Sequence, residues 1–322
     1  MKPIIPFALL GALVAVGAAK AAVTDPVGYN TTTLAPNQFT LVGLTLQNSA
    51  VVAGVLDAES ASSVTDTQSN FTTLLTAGAT YILELSNGTV QEITSWSGSV
   101  LTTPSDITSL VIPGTTTFTL RKAATVSEIF GATNSAGLTP DSDGDFTTGN
   151  DLVLIFNGAA FDTVYYFNDG TTTGWFDDGG NAAENKVIAY PDGFFVQRIA
   201  GSPINLVVSG TVKTKPTGGV LAGGGFNYLS SVAPAGLTLA SSGLSAFITP
   251  STDGDFTTVD NVLIQKPDGS YTTHYYFNDG TTTGWFDDGG NITDNVSLAG
   301  GFLLQNRGVT KPYTLAAPTI AP

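Results

Sequence analysis

The sequence predicts an all-β chain: a small N-terminal β domain followed by two duplicated antiparallel β-sandwich or barrel-like domains. Three observations carry this. Gly, Thr, Ser, Asn and Asp are abundant while Lys, Glu and Met are scarce, a mixture that disfavours long helices and suits strands joined by tight turns. Short apolar or aromatic runs alternate with turn signals. The stretch from Tyr165 to Asn181 also recurs, unchanged, from Tyr275 to Asn291.

The repeat sets the organisation. Its offset of 110 residues also aligns Thr139-Pro140 with Thr249-Pro250, and Asp143-Gly144-Asp145-Phe146-Thr147-Thr148 with Asp253 to Thr258. Gly193-Phe194-Phe195-Val196-Gln197 answers Gly301-Phe302-Leu303-Leu304-Gln305 after a two-residue deletion. An offset this constant means two copies of one folded unit. Within a copy, Leu152 to Phe156 and Val164 to Phe167 read as strands, Asn168-Asp169-Gly170 as a turn, and Trp175-Phe176 as the start of the returning strand. Val187 to Tyr190, Phe194 to Arg198 and Leu206 to Val212 follow at the spacing of a sandwich or barrel. The glycines from Gly218 to Gly225 read as a flexible link.

Upstream, Phe39 to Leu46, Tyr81 to Leu85, Gln91 to Thr94 and Thr117 to Leu120 are strand-like, with Asn87-Gly88 as a hairpin signal. Ala124 to Gly131 reads as one short helix capped by Thr125 and ended by Gly131. The expected units are therefore a signal peptide over 1–21, an N-terminal β domain over 22–122, and two repeats over 123–222 and 223–322.

The first residues imply an address. Met1-Lys2-Pro3 is a short basic start, Ile4 to Ala19 is apolar, and Ala19-Lys20-Ala21 offers small residues at the cleavage point. This is the order of a secretory signal peptide, placing the mature chain outside the cytoplasm, in the envelope or medium. The apolar run is short of the ~20 residues of a membrane span, so no span is expected after cleavage. The chain has no Cys, so a lipid-modified cysteine anchor is excluded and stability must come from the core alone. An outer-membrane barrel fits less well, because the strands are often continuous apolar runs rather than alternating ones.

Charge narrows the partners. The net charge is −15, and loss of Lys2 and Lys20 would take it to about −17. An acidic, cation-poor surface repels phosphate backbones, which excludes nucleic acid. Partners expected instead are the chain itself, other cell-surface components or extracellular glycan.

Few residues suit chemistry. There is no Cys nucleophile, and the single His, His274, stands where the other copy has Val164. It reads as a surface or edge residue. Asp177-Asp178 and Asp287-Asp288 read as turn acids rather than an acid–base pair, since neighbouring strand residues point to opposite faces. No enzyme is expected. Asp141, Asp143 and Asp145 alternate in a Gly-containing loop, and Asp253 and Asp255 repeat it, with Ser251 in place of Asp141. Asp143, Asp145, Asp253 and Asp255 are thus candidate Ca²⁺ ligands, against the alternative of polar turns. Trp175, Trp285, Tyr166 and Tyr276 are candidate sugar platforms, against the alternative of core aromatics.

Several motifs in order resemble a family. They are an export signal, Asp25-Pro26-Val27-Gly28-Tyr29, a β-rich region, Leu120-Arg121 and Ile129-Phe130-Gly131, then two copies of a Tyr-Tyr-aromatic strand, a turn, Gly-Trp and a Gly-aromatic strand ending near Arg198 or Arg307. The order resembles a family of exported, repeat-containing β-rich proteins of unknown function known mainly from Verrucomicrobia. That family commonly has a basic residue soon after the Trp, where this chain has Asp177-Asp178 and Asp287-Asp288. The resemblance implies an exported β protein and no reaction. The leading expectation is a non-catalytic structural or matrix protein at the cell surface or outside the cell. The alternative is a carbohydrate-binding module using the two Gly-Trp hairpins.

Overall fold

The structure is a computed structural model that describes residues 26–318 except Thr94. The expected signal peptide lies outside the described residues. The chain is all-β, with several antiparallel sheets and two short α-helices, Phe71–Leu74 and Val126–Phe130. The second helix is the expected one: Thr125 and Glu128 form a reciprocal capping box, and Gly131 ends it at φ +86°.

Two five-stranded antiparallel sheets have the same strand order. In the first, Thr173–Asp177, Phe161–Asn168, Leu152–Phe156, Gly193–Arg198 and Gln38–Gly43 lie side by side. In the second the order is Thr283–Asp287, Tyr271–Asn278, Asn261–Gln265, Gly301–Asn306 and Gly225–Ser230. A two-stranded ribbon accompanies each. Val27–Leu34 pairs with Ile204–Thr211, and Thr217–Leu221 pairs with Lys311–Leu315.

The shared sequence explains the shared turns. Gly170 and Gly280 take φ +84° and +85°, a region open to Gly without steric cost. Asp169 Oδ1 accepts from the Thr171 and Thr172 amides, and Asp279 Oδ1 from those of Thr281 and Thr282. In the next turn Asp177 holds the Gly179 and Asn181 amides, as Asp287 holds those of Gly289 and Asn291.

Strand pairing crosses the boundaries expected from sequence. Val27–Leu34 and Gln38–Gly43, placed with the N-terminal domain, pair with strands of the first repeat. They hold the positions that Thr217–Leu221 and Gly225–Ser230 hold beside the second sheet. The glycine-rich stretch read as a link is therefore mostly two paired strands. Its glycines serve close packing: a Cβ on Gly219 would sit 2.8 Å from the Tyr313 ring, and one on Gly223 2.5 Å from the Gly308 carbonyl. Glycine content cannot tell a loose linker from a tightly approached strand.

Between Gly43 and Val126 the chain builds its own layers. One sheet runs Ala50–Val55, Thr117–Lys122, Tyr81–Leu85, Val90–Ile93, and the other Ala58–Ser60, Ser63–Thr65, Val100–Thr102, Ser95–Ser97. They enclose a core that includes Phe71, Leu83, Phe118 and Leu120. Asn87-Gly88 turns the Tyr81–Leu85/Val90–Ile93 hairpin, with Gly88 at φ +95°.

The two five-stranded sheets meet at glycines. A Cβ on Gly43 would lie 2.6 Å from Gly300 C and Gly301 N, and one on Gly193 2.9 Å from the Leu229 carbonyl oxygen. Ser230 Oγ donates to the Leu44 carbonyl at 3.0 Å across the crossing. Gln265 bridges the same seam, accepting from Leu41 N and donating to Phe39 O, each at 2.7 Å. Gly43→Val should force the sheets apart and cost about 1–3 kcal/mol, the usual range for overpacking. The check is a thermal melt against Gly28→Ala, whose new methyl meets nothing within 4 Å and should leave the midpoint unchanged.

Candidate functional site

At the Gly-Trp hairpins the aromatic rings lie in the core and not on an exposed platform. Trp175 and Trp285 are each 1% exposed. Trp175 lies opposite Tyr166 across the hairpin, packs on Tyr166 and Phe130 at 5.1 and 5.7 Å, and donates from Nε1 to the Gly131 carbonyl at 2.9 Å. Trp285 packs on Tyr276 at 5.5 Å. Tyr166 is buried and Tyr276 half-buried. Alternation puts these rings on the inward face of their strands, where their large apolar area is removed from water.

The candidate calcium ligands are occupied by their own loops. Asp143 Oδ1 accepts from Asp145 N, and Asp145 Oδ1 from Thr147 N. Asp253 and Asp255 repeat both bonds with Asp255 N and Thr257 N. These exposed side chains act as turn acceptors, and the bonds from Thr147 and Thr257 hold Asp145 and Asp255 below the usual carboxylate range. Among the described residues no three His, Cys, Asp or Glu side chains converge as metal ligands. The buried Asp141 accepts from the Asp143 and Gly144 amides, a task that Ser251 Oγ shares in the other copy by accepting from Gly254 N.

His274 is a further correction. It is buried rather than at a surface or edge, with Nδ1 3.2 Å from Thr293 Oγ1. Burial pushes its pKa down. It fills the inward position that Val164 fills in the first sheet, so the strand pattern dictated burial although the residue type did not.

Sequence reasoning missed the buried charges. Glu84 lies where the 50–122 layers meet the first sheet and its ribbon. Its Oε1 accepts from the Tyr190 hydroxyl and lies 3.2 Å from Lys213 Nζ, while Oε2 lies 3.3 Å from Arg121 Nε. All four residues are buried. Desolvation raises the Tyr190 pKa well above its ordinary value and lowers that of Lys213. Two more buried carboxylates anchor the copies. Asp151 pairs with Arg198 at 3.0 Å and accepts from Thr139 N, and Asp260 pairs with Lys311 at 2.6 Å and accepts from Thr249 N.

An open groove of about 750 Å³ runs between the sheets. Phe156, Phe226 and Tyr228 give it an aromatic wall, and Glu92, Asp162 and Asp192 put three carboxylates along it. Crowding by the groove walls, then the charge of Glu92, raises Asp192 from 3.8 to about 6. The Asp192 side chain keeps an exposed surface, so solvent limits the size of the effect.

Compared with family models, curated proteins and solved structures, the chain matches none. Among the described residues no helix is long and apolar enough to cross a membrane.

Two predictions follow from burial and from the groove. Trp175→Ala and Trp285→Ala should each cost about 3–5 kcal/mol, as large-to-small core changes do, read as a lower denaturant midpoint. Asp192 binds a proton more tightly folded than unfolded, so its contribution to stability is full below pH 3.8 and is lost as pH rises through about 6. Asp192→Asn should therefore raise the melting temperature at pH 8 and change it little at pH 3.5.

Proposed function

We propose that this chain is an exported, non-catalytic structural protein of the cell surface or extracellular matrix, built on two modules of one design. One observation carries the reading. Within the stretch shared without change by the two copies, the Trp rings fill the core and Asp169, Asp177, Asp279 and Asp287 hold turn amides. A repeated sequence used this way multiplies a rigid unit rather than a reactive site. The basic start, apolar run and small-residue cleavage point support export. The order of motifs resembling the exported Verrucomicrobial family points the same way.

A second reading has its own observation. Phe226 is 43% exposed on the groove wall, so the second reading places contact with extracellular glycan there rather than at the Gly-Trp hairpins. Aromatic faces beside carboxylates and amides are the chemistry of sugar binding.

Fractionation and immunogold labelling of native cells should place the protein in the envelope or medium, with an N-terminus beginning near Ala22. An unprocessed chain in the cytoplasm would sink the proposal. A glycan array separates the two readings: retention lost in a folded Phe226→Ala variant favours the groove, and no retention by the wild type favours the purely structural role.

A further inference from the structure

The Glu84 cluster contains a fifth group, Gln47, that the ion pairs do not explain. The hydrogen-bond network orients the Gln47 amide so that its NH₂ donates to Glu84 Oε1 at 2.8 Å and its carbonyl oxygen accepts from Arg121 Nε at 3.2 Å. The same Oε1 lies 3.2 Å from Lys213 Nζ. Gln47, Glu84, Arg121 and Lys213 are all more than nine-tenths buried. The backbone fixes the approach: Gln47 and Thr211 exchange N–H···O bonds at 2.8 and 3.0 Å, two residues before Lys213. An amine, a carboxamide, a proton carrier touching both and a cation on the amide oxygen are thus held together out of water.

We propose that the chain closes an internal amide cross-link between the Lys213 and Gln47 side chains, releasing ammonia, with Glu84 as proton carrier and Arg121 as oxyanion holder. Glu84 takes one proton from the Lys213 ammonium. The neutral amine attacks Gln47 Cδ, forming the Nζ–Cδ bond, and the C=O electron pair moves onto the oxygen held by Arg121. As the carbonyl re-forms, the Cδ–Nε2 bond breaks, and Glu84 returns its proton so that Nε2 leaves as NH₃. The new amide nitrogen then gives its surplus proton to Glu84, which passes it to the departing ammonia as ammonium. No oxidant or cofactor is needed.

The environment favours each step. Burial lowers the Lys213 pKa, which favours the neutral amine that attacks. Exclusion of water disfavours hydrolysis of the amide centre. The product retains the Glu84–Arg121 contact and removes one of the two cations sharing that carboxylate. The link would tie together residues flanking the whole 50–122 unit and the first sheet, in a chain with no cysteine to do so.

Intact-mass spectrometry of the purified, processed chain tests this. The expected mass is one ammonia short of the sequence, and a digest should yield the Gln47 peptide joined to the Lys213 peptide. Lys213→Arg, which keeps the charge but is a poor nucleophile, should show the full mass with an unchanged far-ultraviolet spectrum. A folded wild type of full mass overturns the proposal. So does the same deficit in Lys213→Arg, which would assign the loss to ring closure elsewhere, as at Asn87-Gly88. A chain short of one water, with Lys213 joined to Glu84, overturns Gln47 as the partner.

Discussion

Glu84 is 1% exposed, and its burial is tolerable only because groups from separate stretches of chain reach it. Arg121 comes from the neighbouring strand of its own sheet, Tyr190 from the first repeat, and Lys213 from the segment after the ribbon. A carboxylate taken out of water this fully pays several kcal/mol in lost solvation. The penalty is met only when these stretches are docked together. The cluster therefore couples the folding of the 50–122 layers to that of the first sheet, and mispositioning any one of them strands a charge in an apolar setting. Arg121 extends the coupling by donating to the Asn48 carbonyl at 3.0 Å and to Thr211 Oγ1 at 3.2 Å.

The second sheet is joined by different physics. Its seam with the first is backbone against backbone, with glycines where any side chain would collide. Close approach lets Gln265 satisfy the Leu41 amide and the Phe39 carbonyl, edge groups that would otherwise need water. Three separate hydrophobic cores sit on either side of these joints. A chain without disulfides can hold together in this way, because each core is covered and each joint is closed by either charge or shape.

Comparison of the copies shows where repetition ends. The turn and hairpin residues are identical, and Asp169 and Asp177 make the same turn bonds as Asp279 and Asp287. Differences gather at positions facing a unit-specific neighbour. His274 replaces Val164, with Thr293 within hydrogen-bond reach of its ring nitrogen. Asp151 and Asp260 perform the same anchoring task at positions one residue out of step with the 110-residue offset. The cation also changes, from Arg198 on the strand itself to Lys311 on the ribbon. The local architecture tolerates such exchange because what must be conserved is a neutralised buried carboxylate, not a particular donor.

The sequence by itself determined the all-β class, the strand–turn grammar of Leu152–Phe156 onward, the capped helix before Gly131 and the Asx turns at Asp169 and Asp177. Each follows from side-chain period, β-branching or the φ preference of a neighbouring Gly, and all of these act over a few residues. Tertiary structure alone decided the rest. Nothing local says that Gln38–Gly43 completes a sheet whose other strands begin beyond residue 150, because antiparallel pairing depends on partners rather than on spacing. Nothing in Asp143 or Asp145 says which backbone amides their side-chain oxygens accept from. Gln47, Glu84, Arg121 and Lys213 look unremarkable along the chain. They become one buried network only because the tertiary structure brings distant stretches of chain within hydrogen-bond distance.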